Sequence, residues 1–129
     1  MQAAMRIVYK LWHYSLKGIY KYMVMPFKLA MLKECGRKVY IARGTYMDYR
    51  NVSLADNVSV GPFCLFMCSR AEIRVGDHVM FGPHVFMITG NHRVDIIGRY
   101  MASIADAEKL PENDQPIILA GDNWIGANV

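Results

Sequence analysis

The residues best suited to do chemistry lie together at Gly90-Asn91-His92-Arg93-Val94-Asp95. An imidazole can accept a proton at neutral pH, and it is the commonest base in enzymes that move one. A hydroxyl is a poor nucleophile until its proton is leaving, so a reaction at an alcohol needs such a base. His92 is therefore the candidate general base. Read from its neighbours alone, a loop histidine with no role is the favoured account. Asn91 and Asp95 could orient the imidazole or a bound acceptor, and a backbone carbonyl would serve as well. Arg93 has Asp95 close by as an ion-pair partner; a partner chain or solvent is the alternative. Trp124 offers a ring that stacks well on the apolar face of a sugar, with a packed turn as its competing role. No serine sits in a Gly-x-Ser-x-Gly element, so nothing suggests a nucleophile.

Two other sets of side chains carry less. His78, His84 and His92 are spaced six and eight apart, and a zinc site of the carbonic-anhydrase type needs three histidines converging across a subunit interface. His78 and His84 hold the turn positions of a repeat, which makes them structural. Cys64 and Cys68 lack the second pair that would complete four ligands. With Cys35 they leave an odd number of cysteines, which reads as reduced thiols rather than a disulfide framework. No metal ligand is assigned.

The element that must position these residues runs from Leu54 to Met87 and beats every six residues. Apolar residues open the beats at Leu54, Val60, Phe66, Val75, Phe81 and Met87. Ala55, Gly61, Gly76 and Gly82 follow, and Val58, Cys64, Val79 and Val85 come four after their openers. Turn formers fill the gaps. The step from Phe66 to Val75 is nine residues, so one beat carries about three extra. Period six fits neither an amphipathic helix nor a lone alternating strand. It fits a short strand and a tight turn, repeated, with three faces to a coil, the pattern of a parallel β-helix. Openers point inward, and coils stack at about 4.8 Å.

The repeat, the Asn91-His92-Arg93-x-Asp95 element and Trp124-Ile125-Gly126-Ala127-Asn128-Val129 together resemble the hexapeptide-repeat acyltransferases. The bacterial surface-polysaccharide O-acetyltransferases and the xenobiotic acetyltransferases are the nearest in pattern, over residues 38 to 129. The resemblance implies a mainly β fold, a left-handed parallel β-helix. It implies direct acetyl transfer from acetyl-CoA to a hydroxyl of a sugar or polysaccharide precursor, with His92 as general base and no acyl-enzyme. It sets Trp124 beside the acceptor pocket, leaves Asn91 and Asp95 to orient the imidazole or bind the acceptor, makes Gly126 and Ala127 the nearest candidates for the donor, and implies a homotrimer. Asn123 departs from the family, which usually has Val there, and Cys64 stands where some relatives place Asn. Competing readings are a non-catalytic β-helix scaffold, a metal-dependent carbonic-anhydrase-like one, and an inactive remnant.

Size and charge set bounds on this reading. A chain of 129 residues is one domain. Residues 1–50 hold ten Lys or Arg against Glu34 and Asp48, and residues 51–129 hold five against nine acids. The basic half is local and no nucleic-acid motif accompanies it, so no nucleic acid is expected. No secretory signal or bilayer-spanning run is present, which reads as a cytoplasmic chain.

The chain divides into an N-terminal amphipathic helical segment, residues 1–36, and a β-helix domain, residues 37–129. Arg6, Lys10, His13, Lys17 and Lys21 share one helical face, opposite Ile7, Val8, Leu11, Trp12, Ile19, Tyr22 and Met23. Pro26 should end this helix near Met25, and a second short helix over 27–36 should close at Gly36. Two compatible roles follow for residues 3–25: a peripheral contact with an anionic inner-membrane surface, or a cap on the first coil. Residues 90–116 break the beat as a long excursion that lies against a neighbour and returns. The beat resumes at Leu119 and Ile125 and stops mid-beat, where relatives continue, so a C-terminally truncated chain is expected.

Overall fold

The computed structural model describes residues 1–129. Helix α1 (Gln2–Ile19) runs through a π-helical turn (Tyr20–Val24) into α2 (Met25–Met31). Strands follow as β1 (Glu34–Cys35), β2 (Tyr40–Ile41), β3 (Tyr46–Met47), β4 (Val52–Leu54), β5 (Ser59–Val60) and β6 (Leu65–Met67). Then come β7 (Ile73–Asp77), β8 (Met80–Phe81), β9 (Phe86–Ile88), β10 (Ile117–Gly121) and β11 (Trp124–Ile125).

Every pairing between these strands is parallel, and each joins a strand to the one three places along the chain. The result is three sheets, β1-β4-β7-β10, β2-β5-β8-β11 and β3-β6-β9, visited in rotation. Register places opener on opener: Leu54 lies beside Val75, Val60 beside Phe81, and Phe66 beside Met87. Those six side chains are buried, and with Ile41, Met47, Val58, Val79 and Val85 they fill the space the sheets enclose. The rings of Phe66 and Phe81 pack at 5.3 Å between centroids.

Two of the three corners are alike at every level. Between the first and second sheets Lys38, Asn57, His78 and Asp122 take positive φ, from 52° to 59°. Between the second and third, Gly44, Phe63, His84 and Asn128 do the same. The left-handed residue turns the chain from one sheet to the next within very few residues, which holds most strands to two or three. The third corner is different. It carries a 3₁₀ turn at Tyr49–Asn51, the irregular stretch 68–72 and the whole excursion 89–116.

The expected fold class is corrected here. The chain is not mainly β, nor one continuous left-handed β-helix: 33% of it is helical and 26% strand. Short strands between tight corners keep strand content low. The first 31 residues are almost wholly helical, and the winding is broken between β9 and β10 by three 3₁₀ turns, Met101–Ser103, Asp106–Glu108 and Pro111–Asn113. The architecture is three parallel sheets plus an N-terminal helix.

Pro26 does not end the helix. The chain widens to a π turn before it, with Met25 N–H bonding Tyr20 O, and Pro26 enters the first turn of α2. A proline ring clashes with the carbonyl four residues back, and widening the turn relieves that. Helix α2 closes at Leu32 rather than Gly36, because Leu32 is drawn extended into the core and Lys33 N–H turns to Tyr49 O and Val52 O. None of the residues of α1 is buried. Tyr20 ties it down: its hydroxyl donates to Ile41 O at 2.5 Å and Ala42 O at 3.1 Å. No helix is long and apolar enough to cross a membrane.

Candidate active site

The third corner positions His92. Strand β9 carries the chain out of the third sheet, and Thr89, buried, donates its hydroxyl to Ala71 O at 2.9 Å. From there the excursion is closed at its base like a drawn loop. Asn91 N–H donates to Asn113 O at 2.7 Å and Gln115 N–H to Thr89 O at 3.2 Å, around an antiparallel bridge between Gly90 and Asp114. A loop whose ends are bonded to each other can hold one conformation despite its length.

Ion pairs fix the interior of the loop. Arg70 reaches Asp114 at 2.5 Å from the irregular stretch below, and its guanidinium also lies 3.5 Å from Asp106. Lys109 sits 3.2 Å from the same Asp114 carboxylate. Partial burial works to raise the Asp114 carboxyl, but hydrogen bonds from Arg70 and Lys109 outweigh it and the net shift is downward. Arg99 grips Glu108 at 2.7 Å, and Ala105 N–H donates to the same carboxylate, so Glu108 falls to about 2.

His92 stands exposed at the root of this loop. Its backbone N–H donates to the Asn91 side-chain oxygen at 2.8 Å, and its imidazole makes no hydrogen bond within the chain. Asn91 therefore shapes the backbone under His92 rather than gripping the ring. Arg93 holds Asp95 through two bonds, at 2.9 and 3.0 Å, and donates to Glu108 O at 2.8 Å. The hydrogen bond from Arg93 is the main reason the Asp95 carboxyl lies below its ordinary range. Asp95 is thus bound to Arg93, and neither it nor Asn91 makes a hydrogen bond to the imidazole.

Trp124 lies elsewhere. It is on β11 in the second sheet, beside Met80, with its side chain outward and 78% exposed. Gly126 and Ala127 follow it at the corner between the second and third sheets. A Cβ on Gly126 would meet nothing within 4 Å. The main clefts of the chain are lined by other residues.

No protein-family model matches this chain, and no curated protein or solved structure does either. The chemistry must be argued from the residues in place.

His78 and His84 occupy left-handed corners on different edges, and the His84 ring stacks on Phe63 at 5.3 Å. No three His, Cys, Asp or Glu side chains gather into a metal-binding group within the chain. Cys64 and Cys68 are buried thiols and Cys35 is an exposed one, all unpaired. Burial, helped by Asp48, pushes Cys68 up to about 11. The residues that sequence reasoning missed are Arg70, Arg99 and Lys109, which brace the loop beneath His92. A signal for Arg70 was present: it lies among the extra residues of the nine-residue step from Phe66 to Val75.

Proposed function

We propose that this chain is an acetyl-CoA-dependent O-acetyltransferase acting on a hydroxyl of a sugar or polysaccharide precursor, with His92 as general base. The observation that carries the reading is an accessible imidazole, free of any partner within the chain, on a loop whose backbone is held by Asn91, Arg93 and Asp95. A base must reach a substrate proton in a fixed geometry, and a ring already spent on an internal hydrogen bond could not.

In the step proposed, the acceptor oxygen attacks the thioester carbonyl carbon while His92 takes the hydroxyl proton. The tetrahedral adduct collapses, the carbon–sulfur bond breaks, and the departing thiolate takes the proton back from His92, leaving the ester, free CoA and the base restored. Trp124 would flank the acceptor and Gly126 and Ala127 the donor, contributed in a homotrimer. The outward pair Met80 and Trp124 and the outward Tyr46, Phe86 and Ile88 support self-association, since all are large, apolar and well exposed. The reading places the chain in the cytoplasm, where acetyl-CoA is at hand.

The test is a panel of sugar acceptors incubated with acetyl-CoA and the purified chain, read by mass spectrometry for acetyl esters. An ester on a sugar, with equimolar CoA released, is the expected result. Hydrolysis of acetyl-CoA without ester, or no turnover with any acceptor, contradicts it.

A further inference from the structure

The helix that projects from the sheets has an apolar side with nothing on it. Val8, Leu11, Trp12, Ile19, Tyr22 and Met23 are each more than half exposed, Trp12 at 66%. A contiguous apolar surface of this kind is rare on a chain that meets only water. The orientation of the helix explains why it is bare. His13, Lys17, Tyr20 and Lys21 face the second sheet and, with Tyr40 and Arg43, line a cleft of about 600 Å³. At about 100° per residue, that cationic side lies roughly opposite the apolar one. The apolar side is therefore turned away from the sheets, and the Tyr20 hydroxyl holds it so.

Charge names the occupant. None of residues 1–33 is acidic. Arg6, Lys10, Lys17 and Lys21 form no ion pair, and neither does Arg43, whereas every Lys and Arg beyond residue 50 has a carboxylate partner. No carboxylate lines the cleft either. We propose that residues 1–33 dock this chain on a bilayer surface rich in anionic lipid. Helix α1 lies in the plane of the interface, its apolar side sinks to the acyl boundary, and headgroup phosphates meet His13, Lys17, Lys21 and Arg43 in the cleft above. A second copy of the helix would bury the apolar side but leave its cations without a counter-charge. A nucleic acid would meet the cations and leave Trp12 and Leu11 in water. The inference does not rest on the role given to His92.

The experiment uses the full chain carrying Trp124→Phe, so that Trp12 is the only tryptophan reporting. Vesicles of phosphatidylcholine, with and without phosphatidylglycerol, are titrated and binding is read by sedimentation and Trp12 fluorescence. On anionic vesicles, a blue shift and protection from an aqueous quencher are expected. Binding should be at least tenfold weaker to phosphatidylcholine alone and should weaken as salt rises. Lys10→Glu with Lys17→Glu should cost at least tenfold, since each cation is worth about fivefold at such a surface. Leu11→Ser with Trp12→Ser should also weaken binding although every cation remains. Because α1 buries none of its residues, all these variants should melt as the parent does. Binding that ignores lipid charge, or no vesicle binding, overturns the proposal. So does self-association through α1, or capture of duplex DNA, without vesicle binding.

Discussion

Replacing Gly61 by Ala tests how tightly successive turns of the chain are stacked. A Cβ at Gly61 would lie 2.4 Å from Gly82 O, 2.6 Å from Gly82 C and 2.8 Å from Phe81 O. All three are backbone atoms of the turn above, so no side chain can swing aside. Ordinary contact needs roughly 3.4 Å or more, and the turns would have to part by about 1 Å locally. The bonds that join them are Gly61 N–H to Phe81 O at 3.0 Å, Ser59 N–H to Val79 O at 3.0 Å and Leu65 N–H to Val85 O at 2.9 Å. One or two of these would be lost at about 1 kcal/mol each, with overpacking adding about 1–3 kcal/mol. The expected loss is roughly 2–5 kcal/mol, or about 10 °C in melting temperature for a domain of this size. Gly18→Ala is the matched control. Its Cβ would meet nothing within 4 Å, and removing a glycine from a helix interior stabilises it by about 0.5–1 kcal/mol. Both variants are followed by circular dichroism on heating and in urea. A Gly61→Ala chain as stable as the parent would refute the stacking.

Alkylation of the native chain at pH 8 should label Cys35 alone, with Cys64 and Cys68 reacting only after unfolding, as peptide mass spectrometry would show. Rapid labelling of Cys68 in the native chain would contradict its burial. The Glu108 carboxyl should titrate by NMR at about 2, and Arg99→Leu should move it back toward the ordinary carboxylate range. Because its folded value is depressed, the stability it lends is full above the ordinary range near 4.3 and is lost as pH falls toward about 2. A midpoint left in place by Arg99→Leu would mean the ion pair does not hold the loop.

What could be read from the sequence was local and periodic. Leu54, Val60, Phe66, Val75, Phe81 and Met87 recur at a spacing that only repeated strands and tight turns satisfy, and all six are in the core. Content was misread because the same spacing says nothing about strand length, and corners at Asn57, Phe63, His78 and His84 consume half of each beat. Pro26 was misread because a π turn can absorb it, and no residue pattern announces one. The amphipathic pattern of residues 3–25 marked two sides but not which would face the sheets; Tyr20, far along the helix, decides that through Ile41 and Ala42. His92 could be singled out with its neighbours. The grip of Arg70 on Asp114 could not, since the two lie 44 residues apart and meet only once the third corner is built.

The proton taken by His92 can be tested with the imidazole itself. In His92→Ala, turnover of acetyl-CoA with the best acceptor should fall by about a hundredfold or more. Because the ring makes no bond within the chain, the melting temperature should not move. Imidazole added to the assay should restore part of the lost rate, most where the free base predominates. A His92→Ala chain that acetylates at the parent rate would contradict the central claim. So would a chain that loses the rate together with its fold.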